Sequence, residues 1–372
     1  MNTRRTVAPQ RRGFAPWPAT PGTTVAVLLA VLLAVPGAVV PAERSSERGP
    51  MYILEAEFSV ANPDREASAI AWSPDGERLA VLASLTRAAS VFAVPGGEPL
   101  GRLPGLAGGM DAIAWASADT LVVPTAHAGT SAVSLWKPSS GEASPVPGPE
   151  PAANTLFNKL YGFTHDPRRL VLAGWHYGSE GSGRRSRLAV YDMRDWSLRA
   201  QLPVAARRIA LSPTATRLAV APAAGGWATY ALPQGEPLQF MADTSLRFLH
   251  IRWVPGGDRL VTASPAPSSA DQPAPSQLQL WDASSAVLLA AAGLQNPANI
   301  LSLDVSPDGR WLLTATSDSR CGLWRLDGDL VPGEELSADT GPTAVIARFS
   351  PDGSRIAVVS KGTAVARIYR RQ

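Results

Sequence analysis

The feature that most restricts what this chain can become is that it repeats itself. A string of alternating apolar residues running into a turn occurs as AIAWSPDG (69–76), SLDVSPDG (302–309) and IARFSPDG (346–353). Degenerate copies fill the interval: AIAWASAD (112–119), LYGFTHDP (160–167), RIALSPTA (208–215) and HIRWVPGG (250–257). The residue before each turn is large and apolar, namely Trp72, Trp115, Phe163, Leu211, Trp253, Val305 and Phe349, and successive members lie 43, 48, 48, 42, 52 and 44 residues apart. A period of this size marks a structural unit that cannot bury its apolar face alone and stacks on copies of itself, as in solenoids and propellers.

Each turn is followed by a second apolar stretch, from RLAVLA in the first copy to RIAVVS in the last, too short for a helix and of the right length for a strand. A third strand then ends on an aromatic residue: Phe92, Trp136, Tyr191, Tyr230, Trp281, Trp324 and Tyr369. Pro (34) and Gly (32) are abundant, which suits many turns, and no stretch after Met51 keeps a capped helical periodicity. The fold class predicted is all-β, a seven-bladed β-propeller with blades of about 46 residues over residues 51–372.

In these residues the chain resembles the WD-repeat propellers. LQLWDASS (278–285) carries the Trp281-Asp282 dipeptide, and LAVYDMRD carries the related Tyr191-Asp192. The copy at 302–328 is the best match, with Thr316, Asp318 and Trp324 standing where the family places its Ser or Thr, its tight-turn Asp and its Trp. The resemblance implies that these side chains form a hydrogen-bonded network inside the blade. The Gly-His dipeptide that supplies the family's histidine is missing throughout, with Asn296 near the expected place, so the copies are divergent. The resemblance is informative about architecture and nearly silent about activity.

Ring closure follows from the two ends of the repeat region. The last copy stops after its third strand, VARIYRRQ (365–372), one strand short, and YILEAEFSV (52–60) ahead of the first copy can complete it. Such a clasp leaves no long free edge.

Residues 1–42 read as an export signal of a bacterial chain, followed by a short linker at 43–50. Arg4, Arg5, Arg11 and Arg12 precede the apolar run Thr23 to Val35, Pro36-Gly37 breaks it, and Val40-Pro41-Ala42 offers a cleavage site. RRGF at 11–14 resembles a twin-arginine motif. The expected location is the periplasm or another exported one; the alternative is an inner-membrane anchor through residues 23–40. These four arginines carry the leader's whole charge, so without it the formal charge falls from +3 to about −1. A near-neutral folded part argues against nucleic acid as a partner. Cys321 stands alone, which rules out an internal disulfide, and its setting is that of a small buried hydrophobe.

Two long connections fall between second and third strands, on one face of the ring: GWHYGSEGSGRRSR (174–187) and SPAPSSADQPAPSQ (264–277); PGPEPAANTLFNK (147–159) would reach the same face. The first combines Trp175, His176, Tyr177, Arg184 and Arg185 on a glycine-rich loop, residue types that dominate protein-binding hot spots. The second reads as a Pro/Ser spacer. The third residue of the seven first-strand strings reads Ala71, Ala114, Gly162, Ala210, Arg252, Asp304 and Arg348. The last three predict a charge ladder between neighbouring blades along the central channel, or an anion held there by surplus positive charge. The four histidines, His127, His165, His176 and His250, have no ligand spacing, and no nucleophile elbow or phosphate loop occurs. No catalytic residue, metal or cofactor is assigned. The expected function is a non-catalytic, monomeric scaffold of the cell envelope that binds another protein. The alternatives are a lactonase-like or hydrolase-like propeller enzyme and a ligand sensor, both using the channel.

Overall fold

The computed structural model describes residues 52–372 except 61–66, 84–85, 107–111, 128–129, 147–158, 166–168, 178–183, 244, 266–267, 270–271, 274, 295–297, 337–344 and 361–364. The leader, the linker and Asn296 therefore lie outside the described residues. Among the described residues the strands form seven four-stranded antiparallel sheets, six of them in sequential order and the seventh with the first strand of the chain beside the last, plus one two-stranded hairpin. The innermost strands are Ala67–Trp72, Ala114–Ser117, Lys159–His165, Ala206–Leu211, His250–Trp253, Ile300–Val305 and Val345–Phe349. Each touches the innermost strand of the next blade, and that of blade 7 returns to that of blade 1, so the ring is closed.

The turn string explains itself in the structure. In blade 1 the Ser73 Oγ accepts the Arg78 N–H at 2.9 Å, and Gly76 N–H donates to the Ser73 carbonyl at 2.9 Å with φ of +72°, a left-handed conformation that glycine adopts without strain. Ser306 and Ser350 repeat the bond to Trp311 and Arg355 at 2.9 Å each. The Asp of each string accepts the serine hydroxyl, at 2.5 Å for Asp308 and 2.6 Å for Asp352. Ser, Asp and Gly are thus the three residues whose chemistry reverses the chain; Pro sits where its missing N–H costs nothing.

The large residue before the turn joins blades. Trp72 Nε1 donates to the Arg348 carbonyl at 3.2 Å, Trp115 to Ala71 at 3.1 Å and Trp253 to Ala210 at 3.0 Å. Each indole reaches the backbone of the channel-lining residue in the preceding blade. The apolar interior accordingly divides into seven clusters, each shared between two adjacent blades, rather than one central core. The aromatic closing each third strand is buried in every blade, from Trp136 at 0 % to Tyr230 at 7 % exposure.

The closing strand is Tyr52–Ser59, paired antiparallel with Val365–Arg371 from Tyr52↔Arg371 to Ser59↔Val365. A bulge between Leu54 and Ala56 leaves Glu55 extra. One inserted residue inverts the alternation of faces, which lets a single strand serve two interfaces. Tyr52, before the bulge, packs with Leu313, Leu323 and Phe349 of blades 6 and 7; Ala56 and Phe58, after it, pack with Trp72, Phe92 and Ile368 of blades 1 and 7. Glu55 meets Arg355 at 2.7 Å and Glu57 meets Arg367, its direct cross-strand partner, at 2.7 Å. The Tyr52 hydroxyl donates to the buried Gly353 carbonyl at 2.9 Å.

Because that carbonyl loses its partner, Tyr52→Phe is expected to lower unfolding stability by about 1–2 kcal/mol in urea titrations. Deleting residues 52–60, which opens the ring, is expected to abolish a single cooperative transition; retention of one sharp transition in the deletion variant would show that the clasp is dispensable.

Candidate functional site

Five of the residues singled out for partner binding sit together, but not on a loop. Trp175, His176 and Tyr177 end the strand Arg169–Tyr177, and Arg184 and Arg185 begin the strand Arg184–Asp192. The ladder continues through Trp175↔Ser186, His176↔Arg185 and Tyr177↔Arg184. Both strands have nine residues, whereas their counterparts in blade 1 have six. The blade 3 hairpin thus carries three extra residues per strand, about 10 Å of added length. Backbone pairing makes the difference from a loop: the cross-strand ladder runs on through all three of these pairs. The blade 5 insertion, expected as a spacer, also contains paired residues, Ser268↔Pro273 and Ser269↔Gln272. Residues 147–158 lie outside the described residues, as does the tip of the blade 3 hairpin.

Arg252, Asp304 and Arg348 do occupy successive innermost strands. The ion-paired ladder does not form: no ion pair among the described residues includes any of the three. Asp304 Oδ2 instead accepts the Phe349 backbone N–H at 2.9 Å. Arg348 Nη1 donates to the Ala347 carbonyl at 2.8 Å and to the Ser302 hydroxyl, and Arg252 Nη1 donates to the Ile251 carbonyl at 3.0 Å.

Two further channel residues, missed by the sequence reading, lie two positions earlier on their strands: Arg208 in blade 4 and His250 in blade 5. The signal was available, since residues i and i−2 of a strand share a face. Arg208 Nε donates to the Leu249 carbonyl at 2.8 Å. His250 Nε2 lies 3.2 Å from the Ile300 carbonyl, which can only accept, so Nε2 carries the hydrogen. Burial holds the His250 pKa well below the ordinary histidine value, and the charges of Arg252, Arg208 and Arg348 push it the same way. Burial also lowers the Arg252 pKa to about 10, with repulsion from Arg348 and Arg208 adding to it and Asp304 opposing.

The WD-type side chains make structural bonds. Trp324 Nε1 donates to Thr314 Oγ1 at 3.0 Å, not to Thr316; Thr316 instead donates to Asp318 in the adjacent turn. In blade 5, Trp281 Nε1 donates to Thr262 Oγ1 at 2.9 Å, Thr262 to Gln279 at 3.1 Å, and Gln279 to Ser264 at 3.0 Å. In both blades the indole partner is the fourth residue of the second strand, two positions beyond the leucine paired with the Trp. Cys321 is fully buried and burial pushes its thiol pKa up to about 12, which suits a packing residue and not a nucleophile. Among the described residues, no group of three or more His, Cys, Asp or Glu is placed to hold a metal.

Comparison with known proteins agrees with this geometry. Residues 293–325, the blade 6 copy, match the family model for the WD domain, G-beta repeat. The chain is a β-propeller that carries a WD repeat. Many solved structures share the fold; among them, the crystal structure of the C-terminal WD40 domain of Sif2 superposes with a TM-score of 0.54 at 15% identity, covering 82% of this chain and 80% of that one. No curated protein matches the chain in sequence.

His250 yields a pH dependence with a definite sign. Its folded pKa lies below its unfolded value of about 6.5, so the unfolded chain binds the proton first, and stability is complete above that pH and lost as pH falls below it. The wild-type stability curve is expected to steepen by up to about 1.4 kcal/mol per pH unit below pH 6.5 relative to His250→Gln. Parallel curves for the two proteins would show that His250 does not titrate differently on folding.

Proposed function

We propose that this chain is a non-catalytic protein-binding scaffold of the bacterial cell envelope, reached by export through its arginine-bearing leader. The observation that carries the binding role is the blade 3 hairpin, which is three residues per strand longer than its blade 1 counterpart and bears Trp175, His176, Tyr177, Arg184 and Arg185 at its end. Aromatic and arginine side chains supply most of the energy in protein interfaces, because each brings a large contact area at low entropic cost or several fixed donors. A strand-borne set is better ordered before binding than the same residues on a free loop. The propeller supplies the rigid support, and the bonds of the WD-type side chains are spent inside the blades, where they hold strands together.

The envelope location rests on the leader: four arginines, an apolar run and a small-residue cleavage site, with a near-neutral remainder. An exported scaffold with one buried cysteine is compatible with an oxidising compartment.

Two measurements test the reading. Affinity capture from envelope extracts is expected to retain a protein partner on the wild type and lose at least nine-tenths of it on Arg184→Glu/Arg185→Glu, with melting unchanged within about 2 °C. Equal capture by both would remove the hairpin from the interface. In cell fractionation, Arg11→Lys/Arg12→Lys is expected to stay in the cytoplasm if the twin-arginine route is used, and normal export of that variant would assign the general route.

A further inference from the structure

The fold treats the arginines of its two faces differently. On the face that carries the Ser-Pro-Asp-Gly turns, Arg78, Arg194, Arg217, Arg325 and Arg355 are each ion-paired with a carboxylate. On the opposite face, where the blade 3 hairpin ends, Arg207 and Arg247 are exposed and Arg187 is half-buried. Arg187 donates to the uncharged Gln201 side chain at 3.3 Å, and among the described residues no carboxylate pairs with any of the three. Asp243, which precedes Arg247, is occupied in its own turn: it accepts the Ser245 N–H at 2.9 Å and the Ser245 hydroxyl at 2.5 Å.

Backbone hydrogen bonds set these arginines along one line. Arg187 and Gln201 lie on neighbouring strands of blade 3, Arg184–Asp192 and Leu198–Leu202. The connection that follows meets a short turn of blade 4, where the Ala223 N–H donates to the Ala205 carbonyl at 2.9 Å. At the other end of the same turn the Gly226 N–H donates to the Leu246 carbonyl at 2.9 Å. Arg207 therefore stands near one end of this turn and Arg247 beside the other, and its sequence, Ala-Ala-Gly-Gly at 223–226, places no long side chain between them. A bulge in the innermost strand of blade 4 sets Arg207 outside the ladder, and bulges re-aim side chains. The same bulge holds Ser68, Tyr161 and Leu301 in blades 1, 3 and 6, so of these four only blade 4 uses it for a charge.

We propose that the line of Arg187, Arg207 and Arg247 receives an acidic segment of the protein partner, an extended peptide bearing several Asp or Glu side chains. The inference rests on the protein-binding role proposed above and adds the chemistry of what is bound and the residues outside the hairpin that meet it. Charge complementarity supports it: a guanidinium pairs with a carboxylate through two parallel N–H donors, so arginines in a row select carboxylates and not charge alone. Arg184 and Arg185, at the start of the same strand as Arg187, extend the line to the hairpin end. Exposed ion pairs are individually weak, so a segment is held only by several of them together. An anionic lipid surface is the poorer fit, because a membrane-docking face sets apolar side chains among its basic ones. The large hydrophobics exposed among the described residues lie instead on the outermost strands or next to them, as Leu238, Phe240 and Leu288 do.

The test is fluorescence anisotropy of the full chain with a labelled poly-glutamate peptide and its glutamine counterpart, with co-sedimentation on phosphatidylglycerol vesicles in parallel. Wild type is expected to bind the glutamate peptide about tenfold or more tightly than the glutamine one, and less tightly as salt rises. Arg207→Glu/Arg247→Glu is expected to weaken binding about tenfold or more with melting unchanged within about 2 °C. Arg310→Glu, exposed on the opposite face, is expected to bind as wild type does. Equal binding of the two peptides, equal binding by wild type and the double variant, or an equal loss on Arg310→Glu would each overturn the proposal. So would vesicle binding that the double variant loses when no peptide binds, which would assign the face to a lipid surface. Arg184→Glu/Arg185→Glu separates this inference from the reading beneath it. If that variant loses the captured partner while wild type ignores the glutamate peptide, the hairpin binds a protein and the acidic segment is wrong. If it captures normally while Arg207→Glu/Arg247→Glu loses the peptide, the acidic segment stands and the hairpin end is not part of the interface.

Discussion

In a propeller the strongest constraint is closure, and here it falls on eight residues, Tyr52–Ser59, that reach across more than 300 positions of sequence to pair with Val365–Arg371. Seven apolar clusters each lie between two blades. A ring with one open seam exposes both halves of one such cluster, so the stability of the whole depends on the strand that joins the ends. The Glu55 bulge is central to this, because a strictly alternating strand could not present Tyr52 to the blade 6 side and Phe58 to the blade 1 side. The ion pairs of Glu55 and Glu57 add modestly, being partly exposed.

Around the axis the same economy of parts meets a different problem. Small residues on the innermost strands of blades 1 to 4 relieve crowding, and an indole of the next blade can cap their carbonyls, as Trp115 caps Ala71 and Trp253 caps Ala210. Blades 5 to 7 replace this arrangement with charged side chains. Their bonds go to backbone groups more than to each other, with Asp304 holding the blade 7 N–H and His250 holding the blade 6 carbonyl. His250 among them is kept neutral by burial and by its basic neighbours.

Legibility varied with the range of the interaction involved. The turns were readable because Ser-Pro-Asp-Gly encodes its own geometry within six residues. The aromatic column was readable because burial recurs at every period. The end of the blade 3 hairpin was misread as a loop because a glycine-rich stretch in the sequence signals a break without saying how far the flanking ladder runs towards it. The charge ladder was misread because adjacent strands bring charges near one another while hydrogen-bonding geometry decides whether they pair, and Asp304 found a backbone N–H first. The network implied for Thr316, Asp318 and Trp324 forms only in part, because Thr314 and Thr316 share one face of the strand two residues apart and the indole reaches the first of them.

By itself the sequence determined the number of blades, the strand order within each, the turn chemistry and the clasp, because all of these follow from periodic burial and local backbone preference. Only the tertiary structure decided the bulge that inverts the faces of the closing strand, the indoles that cross from blade to blade, the diversion of Asp304 and the gathering of Arg208 and His250 beside Arg252 and Arg348. Those features depend on which residues of different blades face each other and at what distance, and a linear pattern carries the order of residues along a strand but not the rotation between neighbouring sheets.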